Sequence, residues 1–339
     1  MNSRDRVQRA INFNHPDRPP ISHGILPATQ KKYGNALEDI LAEVHEDFGW
    51  GFLPDMQQED YPPLYKGGLN RDDFGTLWNV TEEGICGIPI EWPLSEVSLY
   101  SSFVWPEFSA GPPETRLYSG HMAGSNQGYY ARGAWITFFE EMQQLRGMEN
   151  LFMDLAYKSR EVYQLRDDLL EFNHKWIDKW LEYEYEGLHF ADDWGDQQRL
   201  LIAPATWREF FKPAYKAMFD KVESAGVDVH FHSDGNILDI IPDLIDIGVK
   251  VLNCQNTIIG LDVLKERFNG TVCFRTDLDR QRIMPFGTPK DVREHIRDVF
   301  AHLGSARGGV IACGEIGPDT PLDNIQAMYE TFMSFSFAG

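Results

Sequence analysis

The stretch VDVHFHSDGN, residues 227–236, sets His230, His232 and Asp234 two apart. In an extended chain, residues at i and i+2 point the same way, so two imidazoles and a carboxylate share one face. That set can bind a divalent metal, move a proton or polarise a small substrate. The plain rival is a pair of satisfied histidines, one in a strand wall and one in a loop.

Other groups fall where further strands are expected to end. An early strand over residues 20–23 offers His23. A strand over 187–191 offers His189, then Asp192, Asp193, Trp194, Gln197 and Gln198. The next strands offer Asn253, Cys254 and Gln255, then Arg275, Asp277 and Asp279, and last Cys313 and Glu315. Loops are polar anyway, so each residue alone says little; their convergence points to one cleft. Neighbours in a strand face opposite sides, so at most one of Asp192 and Asp193 faces that cleft. The other is better read as an acceptor for backbone N–H groups or a helix start. A carboxyl enclosed near Trp194 would be held protonated by desolvation, which suits proton transfer. Asp193 and His232 are therefore the expected catalytic pair. His23, Asp192, Trp194, Gln197, His230, Asn253, Asp277 and Glu315 are expected to contact substrate. His232, Asp234 and Cys313 form a candidate zinc set, because zinc accepts nitrogen, sulfur and carboxylate donors and keeps a position open in catalytic sites. The rival for Cys313 is a buried structural thiol.

The elements that must position these groups are legible in the second half of the chain. Val162, Leu165, Leu169, Phe172, Trp176 and Trp180 step by three or four and predict a long amphipathic helix after Ser159. Strands at 187–191, 227–232, 250–254, 271–275 and 309–313 alternate with helices that begin near Pro204, Asn236, Gly260, Thr288 and Thr320. Thr288-Pro289-Lys290-Asp291 and Thr320-Pro321-Leu322-Asp323 read as capped helix starts. Asn269-Gly270 ends a helix. Five βα units in a row imply a parallel sheet. No glycine-rich phosphate loop follows the first strand, so an α/β (β/α)8 TIM barrel is expected over an open doubly wound sheet.

The first half is less regular. Ser3 is expected to cap a first helix that His15-Pro16 stops, and Asn35 with Glu38 to form a capping box. Residues 129–137 offer another core strand. From about 55 to 120 prolines, glycines and aromatics are dense, with hairpin-like pieces at 75–80 and 85–91. This predicts an irregular excursion from one barrel domain spanning 1–339, either folded over the pocket or a surface embellishment.

Lysine and arginine total 31 against 52 acidic residues, a net charge of −21, which speaks against nucleic acid and anionic membranes. It also speaks against a polyanionic substrate unless the pocket is locally basic. Four cysteines without a CxxC pair fit a reducing compartment. MNSRDRVQRA lacks an apolar signal region and no stretch reaches membrane-spanning length, so a cytoplasmic protein is expected.

The opening SRDRVQRAINFNHPDRPPI, the segment DDWGDQQRLLIAPATWREFFKPAYK, the run HSDGNILDIIPDLIDIGVKVLN and the tail GPDTPLDNIQAMYE resemble the uroporphyrinogen decarboxylase (URO-D) superfamily. The resemblance implies a (β/α)8 barrel with a cleft at the carboxyl ends of its strands. One branch decarboxylates uroporphyrinogen without a cofactor and grips its carboxylates with an RQAGR-like motif after the first strand. Here that place reads SHGILPATQKKYG, without arginine. The other branch moves methyl groups between a corrinoid protein and a thiol or methoxylated compound, and many members bind zinc through H-x-C-G and a later cysteine. His232-Ser233-Asp234-Gly235 keeps the histidine and replaces the cysteine by Asp234. The later cysteine falls near Cys313, with Gly314 at the expected place. An aspartate ligand makes the site harder and less suited to a thiolate. The resemblance thus implies methyl transfer between a small organic substrate and methylcobalamin carried by a partner corrinoid protein, with zinc as the metal. Decarboxylation of a uroporphyrinogen-like acid, or a barrel that only binds a ligand or corrinoid protein, are the alternatives.

Overall fold

The structure, a computed structural model, describes residues 1–49, 61–107 and 128–337. Its strands are β1 (Gly24–Ile25), β2 (Gly68–Arg71), β3 (Leu77–Val80), β4 (Ile88–Glu91), β5 (Arg132–Ile136), β6 (Gly187–Ala191), β7 (Asp228–Ser233), β8 (Val249–Cys254), β9 (Cys273–Arg275), β10 (Val310–Ile311) and β11 (Glu315–Ile316).

Six of them, β5 to β10, pair side by side in parallel and in chain order. Their sequences alternate for a reason visible in the packing. Phe190 of β6 and Phe231 of β7 point outward onto Phe219 of the helix Lys212–Ser224, with ring centroids 4.9 and 6.2 Å apart. The intervening His189 and His230 stand side by side on the inner face, paired in register. Beyond β10 the ring continues. Ile21 bridges Ala312, and β1 pairs in parallel with β11. Asp47 closes the remaining gap: its N–H bonds Ile21 O at 2.9 Å, and its carbonyl accepts Tyr130 N–H at 3.0 Å. The chain is a (β/α)8 TIM barrel, as its alternating pattern predicts.

The lower part of the barrel is a separate apolar plug of Val7, Ile11, Phe48, Tyr130, Val251, Cys273 and Ile311. Two of these come from the first helix, Ser3–Ile11, which Arg6 ties to the ring through a 2.6 Å bond to the buried Asp47. The outer core contains the long helix Arg160–Leu181, whose buried Val162, Leu165, Leu169 and Trp180 follow the spacing read from sequence and whose N-cap is Ser159.

Several starts differ from the sequence reading. Asn2, not Ser3, caps the first helix, accepting Asp5 N–H at 2.8 Å. The Asn35–Glu38 capping box does not form, because Gly34 ends one helix and begins the next, leaving Asn35 already inside a turn. Pro321 rather than Thr320 is the cap of the last helix, and the helix expected at Asn236 begins at Ile241. The Thr288–Asp291 capping box is present. Residues 68–91 of the excursion form an antiparallel three-stranded sheet, β2-β3-β4, which docks on the helix Phe139–Arg146 through Thr76 Oγ1 to Gln144 O at 2.7 Å. Positions 55–60 and 108–120 of that excursion lie outside the described residues. No described helix is long and apolar enough to cross a membrane.

Candidate active site at the carboxyl mouth of the barrel

His232 stands at the carboxyl end of β7, pointing inward. Its Nδ1 lies 2.8 Å from Asn253 Oδ1 on β8. Asn253 spends its amide on the Arg275 carbonyl at 2.9 Å, so its oxygen must accept and His232 Nδ1 must donate. Nε2 therefore faces the mouth, where Asp193 Oδ1 lies 3.7 Å away and Asp234 Oδ1 3.5 Å away. Asp193 also accepts the Asp234 N–H at 2.8 Å, which ties the loop after β6 to the loop after β7. These loops cross at backbone contact: a Cβ on Gly235, whose φ is +78°, would sit 2.0 Å from Gly195 O, so only glycine fits there.

The electrostatics are those of excess negative charge around one cation. Arg280 binds Asp234 Oδ2, and Glu315 Oε1 at 2.5 Å. Burial penalises the Arg280 charge, but the Asp277, Glu315 and Asp234 carboxylates outweigh that and hold it firmly protonated. Burial pushes the Asp277 carboxyl up to about 7, against the pull of Arg280. Burial also raises the Asp193 carboxyl, with Asp234 adding to the shift and His232 opposing it. Its side chain is 46% exposed, so water moderates that rise. Glu140, in the first turn of the helix Phe139–Arg146, accepts Asp193 N–H at 3.3 Å. Burial and then the charges of Asp193 and Asp192 raise its carboxyl well above the usual range.

The two adjacent aspartates divide their work. Asp192 is fully buried and turned away from the mouth, taking Phe138 N–H at 3.0 Å, Glu140 N–H at 2.7 Å and Tyr215 Oη–H at 2.5 Å. It anchors the start of the helix that carries Glu140 and stands apart from the cluster of Asp193, His232 and Asp234. Trp194 is also withdrawn: it is fully buried, stacks on Phe139 at 3.9 Å and donates Nε1–H to Tyr215 at 3.1 Å. Gln197 is exposed on the rim beside Gln281, 3.4 Å away. His230 lies a layer below His232, 3.0 Å from the Tyr130 hydroxyl, and burial keeps it neutral. His23 is buried against the Tyr329 hydroxyl at 2.7 Å, and burial drives its pKa down to about 3.

The expected zinc set needs a correction. Among the described residues, the donor atoms of Asp193, His232 and Asp234 all lie within 4.8 Å of one another, and Cys313 falls outside that group. Cys313 sits where the sequence of the barrel wall breaks between β10 and β11, its sulfur held near Gly24. The group that forms is one imidazole and two carboxylates. Asp234 Oδ1 is buried without a hydrogen-bond partner, an orphan that a cation would satisfy. These donors fit a divalent ion of borderline or hard character.

Arg132, Trp135, Glu140 and Arg280 were not legible as site residues. Trp135 projects inward, its ring 4.8 Å from His189 and 6.1 Å from His232. It also walls a second cleft of about 270 Å³, lined by Phe74, Thr137, Glu141, Phe172 and Trp176. That cleft lacks Asp193, His232 and Asp234.

The family sequence model described as uroporphyrinogen decarboxylase (URO-D) matches residues 132–335. The chain belongs to the URO-D family. That match spans β5 to the last helix, so it covers every member of the mouth cluster. Comparison with curated protein sequences finds no match. Among solved structures, this URO-D barrel is similar to a methyltransferase from Methanosarcina mazei. The TM-score is 0.67 and identity 14%, over 98% of both chains, a likeness of fold. A B12-independent methionine synthase from Shewanella sp. W3-18-1 aligns over 51% of this chain and 55% of its own, with TM-score 0.32 and identity 12%.

Proposed function

We propose that this URO-D family member is a methyltransferase-type enzyme acting between a small organic substrate and a corrinoid carried by a partner protein. The observation that carries the reading is His232 Nε2, turned by Asn253 toward the carboxylate oxygens of Asp193 and Asp234 at the barrel mouth. His232 and Asp234 would hold a divalent ion, zinc by family analogy. When bound, such an ion supplies Lewis acidity at the heteroatom that carries or receives the methyl group. A corrinoid supplied by the partner would accept the methyl group of the broken carbon–heteroatom bond, and the heteroatom would keep the bonding pair. Asp193, whose carboxyl is raised, delivers the proton that the heteroatom then needs. Once ionised, the same carboxylate would be a third donor, beside His232 Nε2 and an Asp234 oxygen. Arg280 limits the repulsion among Asp234, Asp277 and Glu315.

The test joins metal content to chemistry. Protein purified from zinc-replete cells should hold about one divalent ion per chain, lost in His232→Ala. The cobalamin spectrum should change when enzyme, methylated donor and cob(I)alamin are mixed. Metal-free wild type together with an unmoved spectrum across a donor panel would sink the reading.

One observation favours decarboxylation as a second reading. Asp277, with its carboxyl at about 7 beside Arg280, is poised to protonate a carbanion left by loss of CO₂. CO₂ release from a carboxylated substrate, abolished in Asp277→Ala, would select it.

A further inference from the structure

The barrel interior carries two arginines that form no ion pair among the described residues. Arg132 of β5 is in register with the inward Gly187, while a Cβ on the next residue, Gly133, would strike Trp180 and Tyr185 outside. Arg275 of β9 is in register with Ile311 of the inner plug. Three ring segments separate β5 from β9 on either side: β6, β7 and β8 one way, β10, β1 and the Asp47 segment the other. The guanidinium groups therefore enter from opposite walls. Arg132 rests over the Phe48 ring at 5.5 Å, and Arg275 makes a long 3.4 Å contact to Asn253 Oδ1.

The polar atoms around them are orphaned. Arg132 Nη1, Arg275 Nε, both ring nitrogens of His189 and Nδ1 of His230 are buried without hydrogen-bond partners. His189 is 2% exposed and Arg275 9%. Burial, followed by the charge of Arg275, pushes Arg132 down to about 9, with Cys313, Glu46 and Tyr130 opposing. Burial and the two arginines keep His189 neutral. A guanidinium withdrawn from water is costly unless it meets negative charge; Glu46 acts on the partly buried Arg132 but forms no ion pair with it, and two arginines on facing walls are placed to receive a further negative charge.

We propose that Arg132 and Arg275 form a carboxylate-binding floor for the substrate of this cleft, which is a small organic acid. The floor adjoins the reacting end. Asn253 Oδ1 touches both Arg275 and His232, and the His189 ring lies 6.5 Å from the His232 ring. An acid gripped there thus presents the group a few ångströms beyond its carboxylate to His232, with the Trp135 ring as a flat wall alongside. One negative charge between two cations, flanked by neutral imidazoles, suits a planar monoanion better than phosphate. The inference rests on His232 marking the reacting end, but its test does not depend on metal or methyl transfer.

Metal-stripped protein is titrated with benzoate, acetate, phosphate and benzyl alcohol by calorimetry at pH 7, and thermal unfolding is followed in parallel. Saturable benzoate or acetate binding that raises the unfolding temperature is expected, without comparable binding of benzyl alcohol. Arg132→Leu and Arg275→Leu should each weaken it about 30-fold or more. Should either variant fail to fold, Arg132→Lys and Arg275→Lys keep the charge, and each should still weaken binding by losing the forked contact. No carboxylate binding to wild type, binding indifferent to all four substitutions, or a preference for phosphate would each overturn the proposal.

Discussion

Asn253 Oδ1 accepts a hydrogen bond from His232 Nδ1 at 2.8 Å while the amide of the same asparagine donates to the Arg275 carbonyl. One side chain thereby fixes the tautomer and the aim of the imidazole. Groups that orient a metal-binding histidine are worth about 10–100-fold in affinity. Asn253→Ala should lose that much zinc affinity, measured by competition with a chromophoric chelator, and keep its fold. Asn253→Asp, which still accepts from Nδ1, should recover most of it. Unchanged affinity in the alanine variant would show that the imidazole needs no such orientation.

Asp192 and Asp193 are neighbours with opposite duties, and their variants should separate stability from function. Asp192→Ala leaves Phe138 N–H, Glu140 N–H and the Tyr215 hydroxyl without their acceptor in a fully buried place. A cost of about 2–4 kcal/mol in urea unfolding follows. Asp193→Ala gives up one backbone bond at a half-open site, and its unfolding should shift by less than about 1 kcal/mol. Metal binding and turnover should respond in the reverse order. Equal destabilisation by both would contradict this division.

What could be read beforehand follows from period and chemistry. The inner face of β7 was legible because His230, His232 and Asp234 keep strict alternation, and Phe231 between them is apolar and faces helices. Asp193 was the expected inward residue, but the donors that hold Asp192 outward lie on a helix fifty residues earlier and leave no local mark. Cys313 looked like a ligand by its place at a strand end, yet β10 stops at Ile311 and the chain bends before β11. Arg132 and Trp135 escaped notice because a register shift, with Ala134 at φ +65°, interrupts alternation in β5. Arg280 lies in a loop, where no periodicity marks an inward residue.

Asp277 gives a pH signature. Its carboxyl titrates near 7 in the folded chain against an ordinary 3.8, because burial disfavours the charge. Between those values the native state holds a proton that the unfolded chain releases, so this contribution to stability is present at acid pH and lost as pH rises through about 7. Asp277→Asn should therefore gain on the wild type between pH 5 and pH 8, by an amount on the order of 1–3 kcal/mol. Urea unfolding at the two pH values checks it. A gap between variant and wild type that does not change with pH would mean that the carboxylate is fully repaid by Arg280.

Asp47 is the residue on which closure of the barrel turns, and its substitution tests the fold apart from the site. Its backbone bridges Ile21 and Tyr130, and its carboxylate, fully buried, binds Arg6 at 2.6 Å, Arg18 at 2.8 Å and Ile21 N–H at 2.8 Å. Removing the acid leaves two guanidiniums crowded at the barrel base with one carboxylate partner, Asp17, still reaching Arg6. Breaking a buried ion pair from one side costs about 3–5 kcal/mol. Asp47→Asn should lose roughly that much in urea unfolding, since the amide can still accept from Ile21 but cannot balance the charge. The double variant Asp47→Asn, Arg6→Met should recover part of the loss, because it removes the stranded cation as well. If the second substitution only adds to the damage, the first helix is held by shape alone and the charge pair contributes little to ring closure.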